Sequence, residues 1–342
     1  MHTIDTVVIG GGVSGLIYAR ERALKGDQVL VVEAQDNVGG AVWSHTLEGI
    51  EANTGAEAFA IGRGAMLGLV KDLGLEDRVV TPATGSSFIV GDERAYASPR
   101  NAVFGMPAKP LAKDVREALG FWGALRAWRE RFVPAKRATG DDVTVAEFVR
   151  ARYGKAVLER LVTPIIRGVH SADPEKLELR AVMPRLTERV QELGSARKAI
   201  EEILEQRGVR SSSGSAVHSL TPSMAELPKA LARDIEAHGG HIFTHTPVTG
   251  LRALSEERAW IVTAATQATA VTREFKAHSL VIATGPEVAR HLLSASAPAI
   301  ADLIPVAPAT PVRLATLVLD NPELNAKPRG NGVLVDPAST AI

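Results

Sequence analysis

The stretch "VVIGGGVSGL", Val7 to Leu16, decides the fold of this chain. It sets Gly10-x-Gly12-x-x-Gly15 between a β-branched apolar run, Asp5 to Ile9, and a segment of helical spacing, Ser14 to Lys25. The first glycine permits a tight turn, the second lets backbone approach a pyrophosphate, and the third lets helix pack on strand. Gly26-Asp27 then ends the helix, and "QVLVVEA" (Gln28 to Ala34) supplies a second buried strand closing on Glu33, 18 residues beyond Gly15. A carboxylate at that place can accept both hydroxyls of an adenosine ribose, while the helix start at Val13 and Ser14 faces phosphates. The stretch therefore predicts a complete βαβ unit with a dinucleotide site on Gly10, Gly11, Gly12, Val13, Ser14, Gly15, Glu33 and Ala34.

Outward from this unit, composition narrows the function classes. A chain of 342 residues with 45% hydrophobic content can bury a large core and divide into more than one domain. Lys plus Arg and Asp plus Glu stand at 39 each, so no basic field draws the chain to nucleic acid. The absence of cysteine excludes disulfides, thiolate metal sites and thiol nucleophiles, so redox chemistry must come from a cofactor. An N-terminal apolar run broken by glycines, with no basic leader, reads as strand and turn instead of signal peptide or membrane span, and a cytoplasmic location is expected.

A second glycine pair follows at once in "NVGGAVWSHTLEGIEANTGAEAF". Gly39-Gly40 lets backbone approach the pyrophosphate again, with Ala41 and Val42 beside it, and Gly55-Ala56-Glu57-Ala58 offers a third close approach. Together "GGGVSGL", "VVEA", "GGAVWSH" and "GAEAF" resemble the FAD-binding half of the flavin amine oxidase superfamily. Farther on, "YASPRNAVFGMP" (Tyr96 to Pro107) and "RGVHSADPEKLELRAVMPRL" (Arg167 to Leu186) resemble the FAD-dependent protoporphyrinogen and coproporphyrinogen III oxidases, whose corresponding segment reads "RGVYAGDP". "ELPKAL" (Glu226 to Leu231), "HTPVTGL" (His245 to Leu251) and "LVIATGP" (Leu280 to Pro286) are similar to the same family's return to its FAD domain, and Val248 joins the cofactor candidates.

The resemblance implies an α/β fold: a Rossmann-like FAD-binding domain, a helical insertion and a mixed β-sheet substrate domain. In that layout residues 1–80 and 217–292 form the FAD-binding domain, 81–108 a substrate-domain hairpin, 109–207 the helical insertion, 208–216 a flexible Ser-rich linker and 293–342 substrate-domain strands. "PVRLATLVLD" and "NGVLVD" are expected to be strands covering the flavin. Within the insertion, spacing predicts a helix over Asp141 to Tyr153 with Asp142 as N-cap and Gly154 as stop, and a long charged helix over Glu175 to Arg207.

By implication the reaction is oxidation of a porphyrinogen in haem biosynthesis, with dioxygen taking the electrons, and coproporphyrinogen is favoured over protoporphyrinogen. The other readings are a flavin oxidase or desaturase acting on an amine or carotenoid, and a truncated non-catalytic relative. Val103, Phe104, Met106 and Pro107 would line an apolar substrate pocket, Arg100 or Arg167 would meet a propionate, and Gly168 would permit close backbone approach. The charge run "LRAWRERFVPAKR" is compatible with a peripheral membrane contact where a product is handed on to a haem-pathway enzyme, although a solvated helix face is its default reading, and the apolar run Val333 to Val335 is expected to promote association into a homo-oligomer. Trp122 and Trp128 read as a core or partner-facing stripe, and His218, His238, His241 and His245 lack the spacing of a metal site.

Two departures stand out. Thr221-Pro222-Ser223 replaces the family's Gly-Gly ahead of "LPKAL", which puts that loop's approach to the flavin in doubt. Family members also continue beyond the position of Ile342 with a last glycine-rich FAD segment, so weak FAD retention is expected of these residues alone.

Overall fold

A computed structural model of the chain describes residues 3–61, 64–82, 86–92, 94–210, 217–265, 271–306, 311–325, 330–336 and 339. It divides into two compact units, Met1–Pro82 with Ala216–Val318, and Ala83–Ser215 with Leu319–Ile342.

In the first unit the opening stretch folds as its pattern predicts. Strand Thr3–Ile9 lies between Val29–Val32 and Thr272–Ile282 in parallel pairing, with Val8 opposite Val31 on one side and Val281 on the other. His241–Phe243 extends the sheet in parallel beyond Val29–Val32, and Ala259–Ala265 and Val248–Leu254 complete its six strands in antiparallel pairing. Alternate side chains go to opposite faces, so these continuous apolar runs require cover on both. Val8 and Val31 pack with Leu16 and Ala19 of helix Val13–Ala23 and with Leu231 and Ile235 of helix Glu226–Ala237. Val7, Ile9, Leu30 and Val32 pack instead with Leu292 and Leu293 of helix Pro286–Leu293. A 2.5 Å ion pair between buried Arg20 and Asp234 joins the two helices of the first face.

The second unit is mainly helical. Its core gathers Phe148, Val149, Leu161, Ile166, Leu186 and Ile200. Beside the helices, Ser86–Val90 pairs antiparallel with Ala95–Ala97 and parallel with Gly330–Val335, and Ala102–Val103 forms a short hairpin with Met106–Pro107.

Four expectations are corrected here. Thr144, not Asp142, caps the helix Val145–Arg152: its hydroxyl accepts from the Glu147 N–H at 3.1 Å while the Glu147 carboxylate accepts from the Thr144 N–H at 3.0 Å. That reciprocal pair needs a Glu three residues after the cap, which Asp142 lacks. The single helix over Glu175 to Arg207 is three, Leu179–Val182, Leu186–Leu193 and Ala196–Arg210. Pro184 cannot donate to a continuing helix, and Gly194 adopts φ 74° at the end of the second. The last of these helices runs into the proposed linker as far as Arg210, and residues 211–216 lie outside the described residues. Residues 311–320 form no strand; among the described residues they have no ladder partner, and extended chain becomes sheet only by pairing.

The charge run is not wholly solvated either. Glu130 is fully buried against Arg152, whereas Phe121, Trp122 and Phe132 are exposed and Trp128 is half-buried beneath the Arg131 guanidinium. Trp122 is therefore not a core residue. Among the described residues no helix is long and apolar enough to cross a membrane.

Candidate functional site

The glycine turn has the tight geometry its spacing demands. Gly10 adopts φ 101°, and a Cβ on Gly15 would collide with the Gly10 carbonyl oxygen, so the helix approaches the strand as closely as it does only without a side chain. Gly12 is different: a Cβ there would meet nothing within 4 Å, and the helix it precedes has no side-chain cap. Its first-turn N–H groups, at Val13 and Ser14, open the end of the helix to an anion.

The Gly39-Gly40 stretch comes to this turn through backbone contacts, and the Gly55 stretch comes in turn to Ala41 beside it. The Gly39 N–H donates to the Gly11 carbonyl at 2.7 Å, and Gly39 forms a bridge with Gly12. The Ala56 N–H donates to the Ala41 carbonyl at 2.9 Å, and a Cβ on Gly55 would strike that same oxygen. Val42 is half-buried behind Ala41, while Glu57 and Ala58 are exposed. The Ser219 hydroxyl donates to the Glu57 carbonyl at 2.6 Å and supports that loop from beneath.

Glu33 stands at the open end of its strand with a defined carboxylate. One oxygen accepts from the Gly11 N–H at 2.6 Å and the other from the Gln35 N–H at 2.8 Å. Its backbone is held by the Thr246 N–H donating to the Glu33 carbonyl and by its own N–H donating to Phe243, both at 2.8 Å. Val248 follows two residues later at the start of the antiparallel strand Val248–Leu254, and Ala34 is half-buried beside Glu33. Each carboxylate oxygen keeps a further lone pair for a hydroxyl donor.

Glu33 and the second and third glycine stretches line one cleft of about 890 Å³, with Gly40, Ala41, Gly55 and Ala56 in its wall, and the first turn adjoins it through the Gly39 and Glu33 contacts. Trp43 and the alternating residues Val312, Leu314 and Thr316 belong to the wall as well; sequence reasoning names none of them individually, although it expects "PVRLATLVLD", as a strand, to cover the flavin. The alternation in "PVRLATLVLD" was the available signal, because residues two apart in extended chain share a side. Among the described residues no group of three or more His, Asp or Glu is arranged to hold a metal ion.

The loop that departs from the family pattern is tied to a charged network. Buried Ser223 and Ser44 donate to Glu51 at 3.1 and 2.6 Å, and the Lys229 ammonium reaches Glu51 at 2.9 Å and Glu226 at 3.2 Å. The Ser44 hydrogen bond, followed by that of Lys229, holds the Glu51 carboxyl below its ordinary value of 4.5, and Glu51 in turn raises Lys229. A lowered carboxyl pKa contributes stability that is present above the ordinary value and is lost as pH falls through the lowered one. The stability difference between the unaltered chain and Glu51→Gln is accordingly expected to shrink as pH falls below 4.5. Urea unfolding at stepped pH reads this, and a difference that stays constant down to the acid limit of folding would remove Glu51 from the linkage.

The substrate candidates lie in the second unit and divide. Phe104 occupies the hairpin tip with φ 48°, and its ring centroid lies 5.3 Å from that of His170. The Phe104 loop and the end of helix Thr163–His170 thus meet, as the family-matching segments suggested. Val103, Met106 and Pro107 are corrected: all three are buried, Val103 and Met106 in the helical core, so their side chains fill that core instead of lining an open pocket. Arg100 is exposed, with its backbone N–H donating to Asp114 at 3.1 Å. Arg167 lines a separate groove of about 240 Å³ together with Arg150, Glu159 and Asp173, a setting of mixed charge. Gly168 faces strand Gly330–Val335: a Cβ there would press into the Leu334 side chain, so the close approach it permits is to its own unit.

Residues 13–334 match the family described as flavin containing amine oxidoreductase. Among curated relatives, the coproporphyrinogen III oxidases of Bacillus subtilis and Staphylococcus aureus are 34% and 29% identical over 52% and 60% of this chain, and 39% and 44% of their own lengths. Protoporphyrinogen oxidase 1 of Arabidopsis thaliana chloroplasts is 30% identical over 58% of the chain and 37% of its own length. The chain's matches thus span less than half the length of these curated relatives. Among solved structures, an Exiguobacterium sp. 255-15 protein provisionally described as a protoporphyrinogen oxidase superposes with a TM-score of 0.71 at 20% identity, covering 88% of this chain and 64% of that one.

Proposed function

This chain belongs to the flavin containing amine oxidoreductase family, and from that premise we propose that it holds FAD on the glycine cleft and serves the oxidation of a porphyrinogen, coproporphyrinogen III before protoporphyrinogen IX, with dioxygen as electron acceptor. The observation that carries the reading is that Glu33 and two glycine stretches wall a single cleft, which is tied to the first glycine turn by the Gly12–Gly39 bridge and the Gly11–Glu33 hydrogen bond. The glycine turn adjoining the cleft also passes a test of fit: Gly12 faces space where a side chain would stand, beside a helix start with no side-chain cap.

When bound, the flavin supplies a two-electron acceptor that dioxygen can reoxidise, forming hydrogen peroxide. The protein's part is binding and orientation. Glu33 would accept the ribose hydroxyls with the lone pairs not used by Gly11 and Gln35. The helix start at Val13 and Ser14 would meet the pyrophosphate, and Gly40 and Gly55 would keep side chains out of its way. Val312 and Leu314 give the cleft an apolar side suited to a ring system. On the second unit, Phe104 and the exposed end of helix Thr163–His170 would meet the macrocycle. The names of the curated relatives support the substrate class.

The test titrates the purified chain with excess FAD, records the spectral change of the bound flavin, and, with FAD kept in excess, follows porphyrin fluorescence on addition of coproporphyrinogen III or protoporphyrinogen IX. Saturable flavin uptake, weak enough to be lost on removing free FAD, and faster formation of coproporphyrin are expected. A chain that takes up FAD but forms neither porphyrin above the flavin-only rate would overturn the substrate reading, and one that takes up no FAD would overturn both.

A further inference from the structure

We propose that His170, whose ring lies tilted against that of Phe104, recognises a carboxylate of a polycarboxylated macrocycle, an assignment that rests on the porphyrinogen reading. The turn Phe104-Gly105 joins two antiparallel two-residue strands with φ 48° and 82° at its centre. Such a turn favours Asn or Gly at its first position, and a phenylalanine held there is strained. Strain of this kind persists where surrounding structure enforces it, and it clusters at ligand clamps. The enforcing contact is visible: a Cβ on Gly105 would lie 2.7 Å from the Leu161 carbonyl carbon, so the tip is seated on the π-helical turn Leu158–Val162. Turns of that type are frequent at functional sites.

The same π-helical turn leads into helix Thr163–His170, whose last residues, Arg167 to His170, are all exposed and which stops at Ser171 with φ 48°. The Phe104 ring makes an apolar seat, the His170 imidazole stands beside it, and Val169 is exposed on the same helix end. Among the described residues neither ring nitrogen of His170 has a hydrogen-bond partner in the protein. Of the nearby cations, Arg167 lines a groove that also holds Glu159 and Asp173, and the Arg100 backbone N–H donates to Asp114. An apolar seat with an unengaged donor at its rim fits a macrocycle that is apolar at its centre and carboxylated at its edge.

The experiment titrates the FAD-supplemented full chain with coproporphyrin III and with a neutral tetra-amide of the same macrocycle, reading porphyrin fluorescence. His170→Phe keeps a ring against Phe104 and removes the donor; His170→Asn restores a donor. Coproporphyrin III should bind on the order of tenfold more weakly to His170→Phe, as expected for a lost hydrogen bond to a charged group. Its affinity should recover in part in His170→Asn, and the tetra-amide should bind equally to all three chains. Unchanged coproporphyrin III affinity in His170→Phe, or an equal loss for both probes, would overturn the assignment while leaving the porphyrinogen reading intact. Failure of the unaltered chain to bind coproporphyrin III would overturn that reading, and the role of His170 with it.

Discussion

Arg152→Met is expected to destabilise the helical unit by about 3 to 5 kcal/mol, the range found when one partner of a buried ion pair is removed. Both side chains of the Arg152–Glu130 pair are fully buried. The guanidinium donates to Glu130 through Nε at 2.9 Å and Nη2 at 2.7 Å, and through Nη1 to the Pro134 and Arg137 carbonyls at 3.1 and 3.2 Å. Glu130 also accepts from the Ser195 hydroxyl at 2.6 Å and the Ala196 N–H at 2.7 Å, which caps the helix Ala196–Arg210. A methionine would fill much of the volume, yet it would leave a carboxylate without its counter-ion and carbonyls without a donor. Hydrogen bonds to charged groups exceed neutral ones, so the carboxylate dominates the loss. Adding Glu130→Gln to Arg152→Met should recover part of it, because the remaining group is then neutral, its one oxygen still accepts from the Ala196 N–H, and its NH₂ can donate to the Ser195 hydroxyl oxygen. Urea unfolding followed through Trp122 and Trp128, both in this unit, reads the change. A shift below about 1 kcal/mol, the range of an exposed pair, would show that water reaches Glu130 in solution.

That pair also marks where sequence reading stops. "RERF" has the composition of a solvated face, and nothing within a few residues of Glu130 distinguishes it from Arg129 or Arg131. Its burial depends on Arg152 and Ser195, partners that only the assembled helices bring together. The βαβ unit was legible for the opposite reason: its turn, helix and strands are set by spacing within about thirty residues, the length scale of that motif. Other misses were local. The Thr144/Glu147 box, Pro184 and Gly194 were all present as signals, and the helix limits followed them instead of Asp142 and the charge periodicity. Met106 shows a third kind of limit, since a motif match identifies a loop but cannot say which of its apolar side chains turns inward. The convergence of Gly39-Gly40 and Gly55 on the first turn was foreseeable as chemistry. Its contacts were not, because they are backbone hydrogen bonds without a side-chain signature.

Glu33→Ala is expected to weaken FAD binding by about 2 to 3 kcal/mol, or roughly 30- to 160-fold, the loss of two hydrogen bonds to a charged acceptor. The carboxylate is already oriented by the Gly11 and Gln35 N–H groups, so it would meet ribose hydroxyls with little ordering cost. Alanine removes the acceptor and also releases the Gly11 N–H, which loosens the turn that carries Gly12. Glu33→Gln separates these effects: its amide keeps one acceptor oxygen but turns an NH₂ toward a backbone donor, so it should lose affinity while preserving the side chain's volume. The strand itself should survive in either variant, because the bonds from Thr246 and to Phe243 use only the Glu33 backbone. Calorimetric titration of each chain with FAD and with AMP gives the decisive comparison. An equal loss in free energy for the two ligands would place the effect at the ribose they share, whereas a loss confined to FAD would move it to the pyrophosphate and the glycine turn. Unchanged affinity for both would leave the carboxylate a purely structural brace for Gly11, and the site would then have to recognise its nucleotide through backbone alone.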